Sequence, residues 1–132
     1  MAKKEQAPKT NAMRALDARK VQYTTLTYSS EIHSADGAAE ALGVDPGVVY
    51  KTLVVLPESG QGRPLLVMVP GTHELDLKVL GQAVGEKKLR MASQKEAESL
   101  TGLLVGGISA LALLNKNFRI FIDEGALWHP LM

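Results

Sequence analysis

The apolar and polar positions along the chain predict short strands and helices that do not alternate strictly. The longest aliphatic run, Val48–Leu56, ends at Pro57 and predicts a central strand. Its alternate residues are mostly apolar on both sides, so we expect the sheet to be covered on both faces. Lys51 is the exception, because a cation placed beside Leu53 and Val55 must reach water or an anion.

Lys51 therefore has two interpretations. It is either a lysine at a strand end that extends outward to water, which is the commoner role, or a lysine at the mouth of a pocket. In the second role it would receive a carboxylate, a phosphate or a polarised carbonyl group.

The other predicted elements follow from periodicity and capping residues. We predict further strands at 21–28, 64–69, 89–91 and 118–122, and helices at 10–20, 38–42, 75–84 and 93–100. Trp128 is predicted to fill the core rather than to stack on a base. The predicted fold class is α/β or α+β, with short helices beside a mixed sheet.

Length and composition indicate one domain. The chain has 132 residues, and we place the domain at 10–132 behind a disordered basic tail at 1–9. The sequence contains no cysteine, which excludes disulfides and thiolate metal sites and allows a cytoplasmic location. No apolar run approaches the roughly 20 residues that span a membrane, so no membrane association is expected.

Charge gives little evidence for a nucleic-acid partner, because the net charge is only +1. Basic residues do crowd the first twenty positions. That run is either a phosphate-facing patch or, more commonly, a solvated tail and helix face.

The sequence shows no metal site and no nucleophile paired with a base. His33, His73 and His129 lack metal-ligand spacing, so we expect no metal and no cofactor. A hydrolase built on this chain would act by positioning an activated bond and polarising a carbonyl with backbone N–H groups or Lys51.

Three further groups are candidates for a pocket. Adjacent glycines in Val105–Ser109 allow backbone amides to approach a ligand, although an ordinary flexible connection is the commoner interpretation. Tyr28 and Thr52 are candidate pocket hydroxyls, with ordinary structural roles as the alternative.

Several segments together resemble one family, the YbaK/EbsC-type prolyl-tRNA synthetase-associated domains, which are trans-editing aminoacyl-tRNA deacylases. The matching segments occur in the family's order and spacing, and they are Lys9–Asp17, Ala39–Pro46, Val49–Val54, Glu74–Lys78, Val84–Lys88, Leu100–Gly102 and Val105–Ser109. Each segment is weak alone, but the series is specific and covers about 9–127.

The resemblance implies a single α/β domain around a mixed, curved sheet, with a pocket beside the strand that carries the lysine. It implies removal of a wrongly attached amino acid from tRNA, here cysteine from tRNA(Pro). The family's lysine falls on Lys51, which is expected to hold the aminoacyl group. Thr52 matches the residue next to the family's lysine, and Tyr28 matches a pocket tyrosine on the strand before the first loop. The loop that closes on the ester maps to Gly106, Gly107, Ile108 and Ser109.

The resemblance also implies a mechanism and partners. In the cysteine-specific branch the substrate's own thiol attacks the ester and leaves a cyclic thiolactone, whereas an alanine-specific relative uses water. Prolyl-tRNA synthetase would hold the tRNA. The alternatives are an Ala-tRNA(Pro) deacylase, a non-catalytic module of this fold that binds the synthetase or tRNA, and a relative acting on another small substrate.

The chain departs from the family pattern in three places. Ala110 replaces a proline after the glycine loop, and no aromatic residue occurs near Ser34. Family members also continue beyond the position of Met132 with a Gly-Lys/Arg-Arg-Gly-Leu segment and a pocket aspartate that have no counterpart here. We expect such an end to expose a sheet edge, which predicts weak stability, a homodimer through that edge, or reduced activity.

Overall fold

The computed structural model describes residues 9–29, 31–32 and 34–132. In this part of the chain, one mixed sheet has the strand order β3-β1-β2-β4. The strands are β1 (Tyr50–Pro57), β2 (Leu65–Pro70), β3 (Leu89–Met91) and β4 (Arg119–Ile122). β1 runs antiparallel to β2 and β3, whereas β2 runs parallel to β4. The predicted mixed sheet with a central lysine strand is confirmed.

Four α-helices flank the sheet in the described residues, and each begins at a side-chain cap. They are α1 (Asn11–Ala18), α2 (Ala35–Leu42), α3 (Leu77–Val84) and α4 (Gln94–Thr101), capped by Thr10, Ser34, Asp76 and Ser93. Short 3₁₀ helices form at Pro46–Val48, Ala110–Leu113 and Glu124–Trp128. The predicted helices are confirmed, with starts that differ by up to three residues.

The apolar core lies on both faces of the sheet, as the two-sided pattern of β1 predicts. On one face, Val54 and Leu66 pack with Ala97 of α4 and with the 3₁₀ helix that contains Leu113. On the other face, Val55 and its neighbours pack against side chains of α3. Leu65, Leu66 and Val55 are fully buried, so β1 and β2 form the rigid centre of the domain.

The strand predicted at 21–28 is wrong. The segment is irregular, and most of its side chains are exposed. Its residues favour an extended conformation locally, but a strand also needs a neighbouring strand that completes its backbone hydrogen bonds. None of the described strands pairs with this segment.

Trp128 does not fill the core, because 82% of its surface is exposed. It ends the 3₁₀ helix Glu124–Trp128, where the chain has already left the sheet. β4 forms one edge of the sheet, and its last residue, Ile122, is exposed. Pairing of two copies through this edge stays a prediction.

Several predictions fall outside the described residues. They concern most of the basic tail, at 1–8, and His33. The described Lys9 lies 2.7 Å from Asp17 of α1 in an ion pair. In the residues that the structure describes, no helix combines the length and the apolar character needed to cross a membrane.

An ion pair fixes the predicted capping box at the start of α4. Ser93 accepts a hydrogen bond from the Glu96 amide, and Glu96 accepts one from the Ser93 amide. Arg90 also donates to both carboxylate oxygens of Glu96, at 2.8 and 2.7 Å. The Arg90 guanidinium and then the Ser93 amide lower the pKa of Glu96 from 4.5 to about 2.

This shift predicts a pH dependence of stability. Between pH 4.5 and about 2 the unfolded carboxyl takes up a proton that the folded one does not, so its contribution is present above this window and is lost as the pH falls through it. Glu96→Gln should flatten the dependence of the unfolding free energy on pH in that window, as measured by urea denaturation. Glu40→Gln, which removes an exposed carboxylate of α2, is the control. Equal slopes for the parent and Glu96→Gln would contradict the prediction.

Candidate functional site

The sheet register leaves half of β1 open along one edge. β3 pairs with β1 only from Val55 to Pro57. The Ala92 amide adds one further hydrogen bond, to the Val54 carbonyl at 3.0 Å. The first half of β1, from Tyr50 to Leu53, is therefore paired with β2 on one side and with none of the described strands on the other.

A cavity of about 530 Å³ lies at this open edge. Five consecutive β1 residues, Tyr50–Val54, line it. Consecutive strand residues point to opposite faces, so one cavity contacts all five only by lying along the strand edge. Its other walls come from the start of α2, from the loop after α4, and from Met91, Ala92, Gln94 and Ala97.

The cavity brings together predicted site residues that are distant in sequence. Tyr28, Lys51 and Thr52 line it, and so do Gly106 and Ile108 of the glycine loop. Gly107 and Ser109 belong to the same loop but do not line the cavity. Tyr28 reaches this position from an irregular segment rather than from the predicted strand.

Lys51 is half-buried at the cavity wall. In the described part of the chain, the ion pairs join Lys9 to Asp17, Arg90 to Glu96 and Arg119 to Glu86, so the Lys51 ammonium is in none of them. Asp36 of α2 lines the same cavity and is exposed. Lys51 is therefore a cavity-lining residue whose charge has no described carboxylate partner, and a lysine in this position is suited to an anionic or polarised oxygen.

Thr52 connects β1 to the segment that follows the glycine loop. Its Oγ1 accepts a hydrogen bond from the Ala110 amide at 3.4 Å. Ala110 begins the 3₁₀ helix that packs against β1 and β2, and only 1% of its surface is exposed. The Thr52 hydroxyl thus helps to hold the end of the glycine loop beside the cavity.

The glycine loop forms a tight turn in front of β1. The Gly107 amide donates to the Leu104 carbonyl at 2.9 Å, and Gly106 has a φ of +96°. A side chain would strain Gly106 in this left-handed conformation. The amides of Gly106 and Ile108 have no hydrogen-bond partner among the described residues. Both residues also line the cavity, so their amides are the loop donors best placed for a ligand.

Glu98 of α4 fixes the start of this turn. Its Oε2 accepts a hydrogen bond from the Val105 amide at 2.9 Å. The carboxylate comes from the second turn of α4, whose first turn is fixed by the capping box. Glu98 was not among the predicted site residues, because its sequence spacing from Val105 matches no motif.

Tyr50 is a second residue that the sequence analysis did not select. Its hydroxyl oxygen is buried and has no hydrogen-bond partner among the described residues. Burial, and then the negative charge of Asp123, raise the pKa of Tyr50. The alternation of side chains along β1 places Tyr50 on the same face as Thr52, and this alternation could have identified Tyr50 from the sequence.

The chain is similar in sequence to proteins of one family. A sequence model of the aminoacyl-tRNA editing domain matches residues 29–130. A relative from Enterococcus faecalis, named as a candidate Cys-tRNA(Pro)/Cys-tRNA(Cys) deacylase, EbsC, is 41% identical over 96% of this chain and 76% of its own length. A proline–tRNA ligase from Maridesulfovibrio salexigens is 33% identical over 72% of this chain, but the match spans only 16% of that enzyme.

Solved structures share the fold. A crystallised hypothetical protein superposes with a TM-score of 0.81 at 28% identity, over 91% of this chain and 77% of its own. A structure described as a candidate trans-editing enzyme for prolyl-tRNA synthetase gives a TM-score of 0.74 at 29% identity, over 94% of this chain and 78% of its own. The fold is therefore shared over nearly all of this chain.

Proposed function

The chain belongs to the aminoacyl-tRNA editing domain family, and we propose that it is a trans-editing deacylase that removes cysteine from wrongly charged tRNA(Pro). One observation carries the proposal. A single cavity collects Lys51, Thr52, Tyr28 and the glycine loop, although more than fifty residues separate Thr52 from Gly106 in the sequence. The name of the Enterococcus faecalis relative supports cysteine as the amino acid.

In this proposal, Lys51 positions the aminoacyl ester and the glycine loop supplies backbone donors. The half-buried ammonium offers positive charge to the ester oxygens, where negative charge develops during attack. The amides of Gly106 and Ile108 supply the loop donors, since the Gly107 amide is bound to Leu104. Such positioning and polarisation suit an ester, which is already an activated bond.

The proposed nucleophile is the thiol of the substrate. After the thiol loses its proton to solvent, its sulfur attacks the carbonyl carbon of the same cysteinyl group. A C–S bond forms as the C–O bond to the ribose breaks, and the ribose oxygen takes up a proton. The products are tRNA with a free hydroxyl and a cyclic cysteine thiolactone. This route requires positioning groups but no nucleophile from the protein.

We also propose that prolyl-tRNA synthetase holds the tRNA during editing. A net charge of +1 gives this domain little electrostatic attraction for a polyanion. Proline–tRNA ligases contain segments similar to this chain, which supports a shared reaction. The synthetase would then supply tRNA affinity, and this domain would supply the cavity.

The direct test is deacylation of Cys-tRNA(Pro) beside Ala-tRNA(Pro), each with and without prolyl-tRNA synthetase. The proposal expects rapid loss of cysteine only, trapping of the thiolactone by an added amine, and a faster reaction with the synthetase. Faster loss of alanine would assign the water-dependent reaction instead. No loss of either amino acid from folded protein would overturn the deacylase proposal.

Glu98 provides a test of the glycine loop. Glu98→Ala removes the acceptor of the Val105 amide, and we expect about a tenfold fall in kcat/KM because the loop amides lose their fixed position. Glu98→Gln keeps an oxygen acceptor and should retain most activity. Equal activity of the parent and Glu98→Ala would show that this bond does not position the loop.

A further inference from the structure

We propose that the backbone of Thr52 is the subsite that recognises the aminoacyl group itself. In this subsite, the substrate's amino group donates a hydrogen bond to the Thr52 carbonyl, and the Thr52 amide donates one to the ester carbonyl. The inference rests on the proposed function, because it names how the same cavity holds its substrate. The aminoacyl group would extend the sheet by one residue at the open edge of β1.

Two hydrogen bonds determine which way the Thr52 backbone points. In an antiparallel pair, the N–H and C=O of one residue point to the same side, and this side alternates along the strand. The Gly71 amide donates to the Val49 carbonyl at 2.8 Å, so Val49 and Lys51 point toward β2. Thr52 then points away from β2, as does Val54, whose carbonyl accepts from Ala92.

The β3 side of Thr52 stays open because the chain turns into α4. The pairing of Val55 with Met91 sets the register, so a continued β3 would put residue 94 opposite Thr52. Instead, Ser93 caps α4 and Gln94 is its first helical residue. Among the described residues, no amide or carbonyl binds the Thr52 backbone on this side, and the cavity occupies this position.

An aminoacyl ester matches what Thr52 presents. A residue in a hydrogen-bonded antiparallel pair offers one N–H and one C=O, separated by a single Cα. The amino group and the ester carbonyl of an aminoacyl-tRNA have this spacing. The bond from the Thr52 amide would also stabilise negative charge on the carbonyl oxygen during attack.

The pairing also sets the direction of the substrate. Directly opposed residues in an antiparallel pair project their side chains to the same face. The side chain of an L-aminoacyl group would therefore lie on the face of Thr52, where Ile108 packs against the core. The ester would lead toward Tyr50, at the start of β1. Asp36, which lines the same cavity, is the competing partner for the amino group.

The test measures backbone amide hydrogen exchange by NMR on the full chain. The probe is 3′-amino-3′-deoxyadenosine carrying L-cysteine through a stable amide bond. In the free protein, the Thr52 amide should exchange at least about tenfold faster than the Leu53 amide, which points to β2. Saturation with the probe should slow the Thr52 amide by about tenfold or more and leave Leu53 unchanged.

A matched probe with 3-mercaptopropionate in place of cysteine lacks only the amino group, and it should bind about tenfold more weakly. Asp36→Asn should change the affinity for the cysteinyl probe by less than about threefold. An unprotected Thr52 amide in the bound state, equal affinity for the two probes, no binding of the cysteinyl probe, or a large loss in Asp36→Asn would each overturn the subsite.

Deacylation of Cys-tRNA(Pro) by the same sample separates this inference from the proposed function. If the protein is active but its Thr52 amide does not respond to the probe, the proposed function stands and the proposed subsite is ruled out. If the protein is inactive but its Thr52 amide is protected by the probe, the subsite stands and cysteine deacylation is ruled out.

Discussion

We expect Lys51→Ala to lower kcat/KM for deacylation of Cys-tRNA(Pro) by about 100-fold or more, because one positioned donor to a developing oxyanion is worth about this factor. The variant should still fold. Lys51 is only half-buried at the open edge of β1, and its ammonium is in none of the described ion pairs. The loss should therefore appear in single-turnover kinetics, with circular dichroism and the denaturation midpoint close to those of the parent.

Three variants separate charge from bulk at this position. Lys51→Met keeps most of the stem and removes the charge, so we expect it to be as inactive as Lys51→Ala. Lys51→Arg keeps the charge and should retain part of the activity, because its planar group presents donors in a different geometry. Lys78→Ala removes an exposed lysine of α3 and is the control. Unchanged cysteine release by Lys51→Ala would remove this lysine from the mechanism.

We expect Leu66→Ala to lower the free energy of unfolding by about 3 kcal/mol, since it leaves a cavity in a closely packed core. Leu66 is fully buried, and it packs with Val54, Ala97 and Leu113 on the face that supports the glycine loop. The same change should slow deacylation, because the wall of the cavity rests on this cluster. Urea denaturation followed by circular dichroism measures the first effect.

The control for this prediction is a leucine that the core does not bury. Leu127 is 86% exposed, so Leu127→Ala should change the unfolding free energy by less than about 0.5 kcal/mol. A loss below about 1 kcal/mol in Leu66→Ala would show that the domain refills the cavity or that this cluster contributes little to stability.

Local chemistry explains the elements that sequence patterns predicted well. Ser93 and Glu96 form the capping box that their spacing indicates, and Gly43 and Gly85 end helices with φ of +68° and +80°. The apolar pattern of β1 also predicted a sheet covered on both faces. Each of these features depends on residues within a few positions of one another, or on one repeating period.

The failures come from segments whose structure depends on distant partners. The strand-forming residues at 21–28 lack a pairing strand among the described residues, and Trp128 lies exposed after the chain leaves the sheet. Tyr28 was a candidate pocket hydroxyl, and it lines the cavity from an irregular segment rather than from the predicted strand. Glu98 and Tyr50 were not selected, because their contacts join parts of the chain that no motif connects.

By itself, the sequence determined the capped helices, the two-faced central strand and the position of Lys51 on that strand. These follow from caps, turn residues and side-chain alternation, which act over short distances. Only the tertiary structure decided where the strand is open. That edge exists because β3 ends opposite Val55 and the chain then turns into α4, while residues of the glycine loop line the cavity beside it. Strand register is a relation between distant segments, so no single segment contains it.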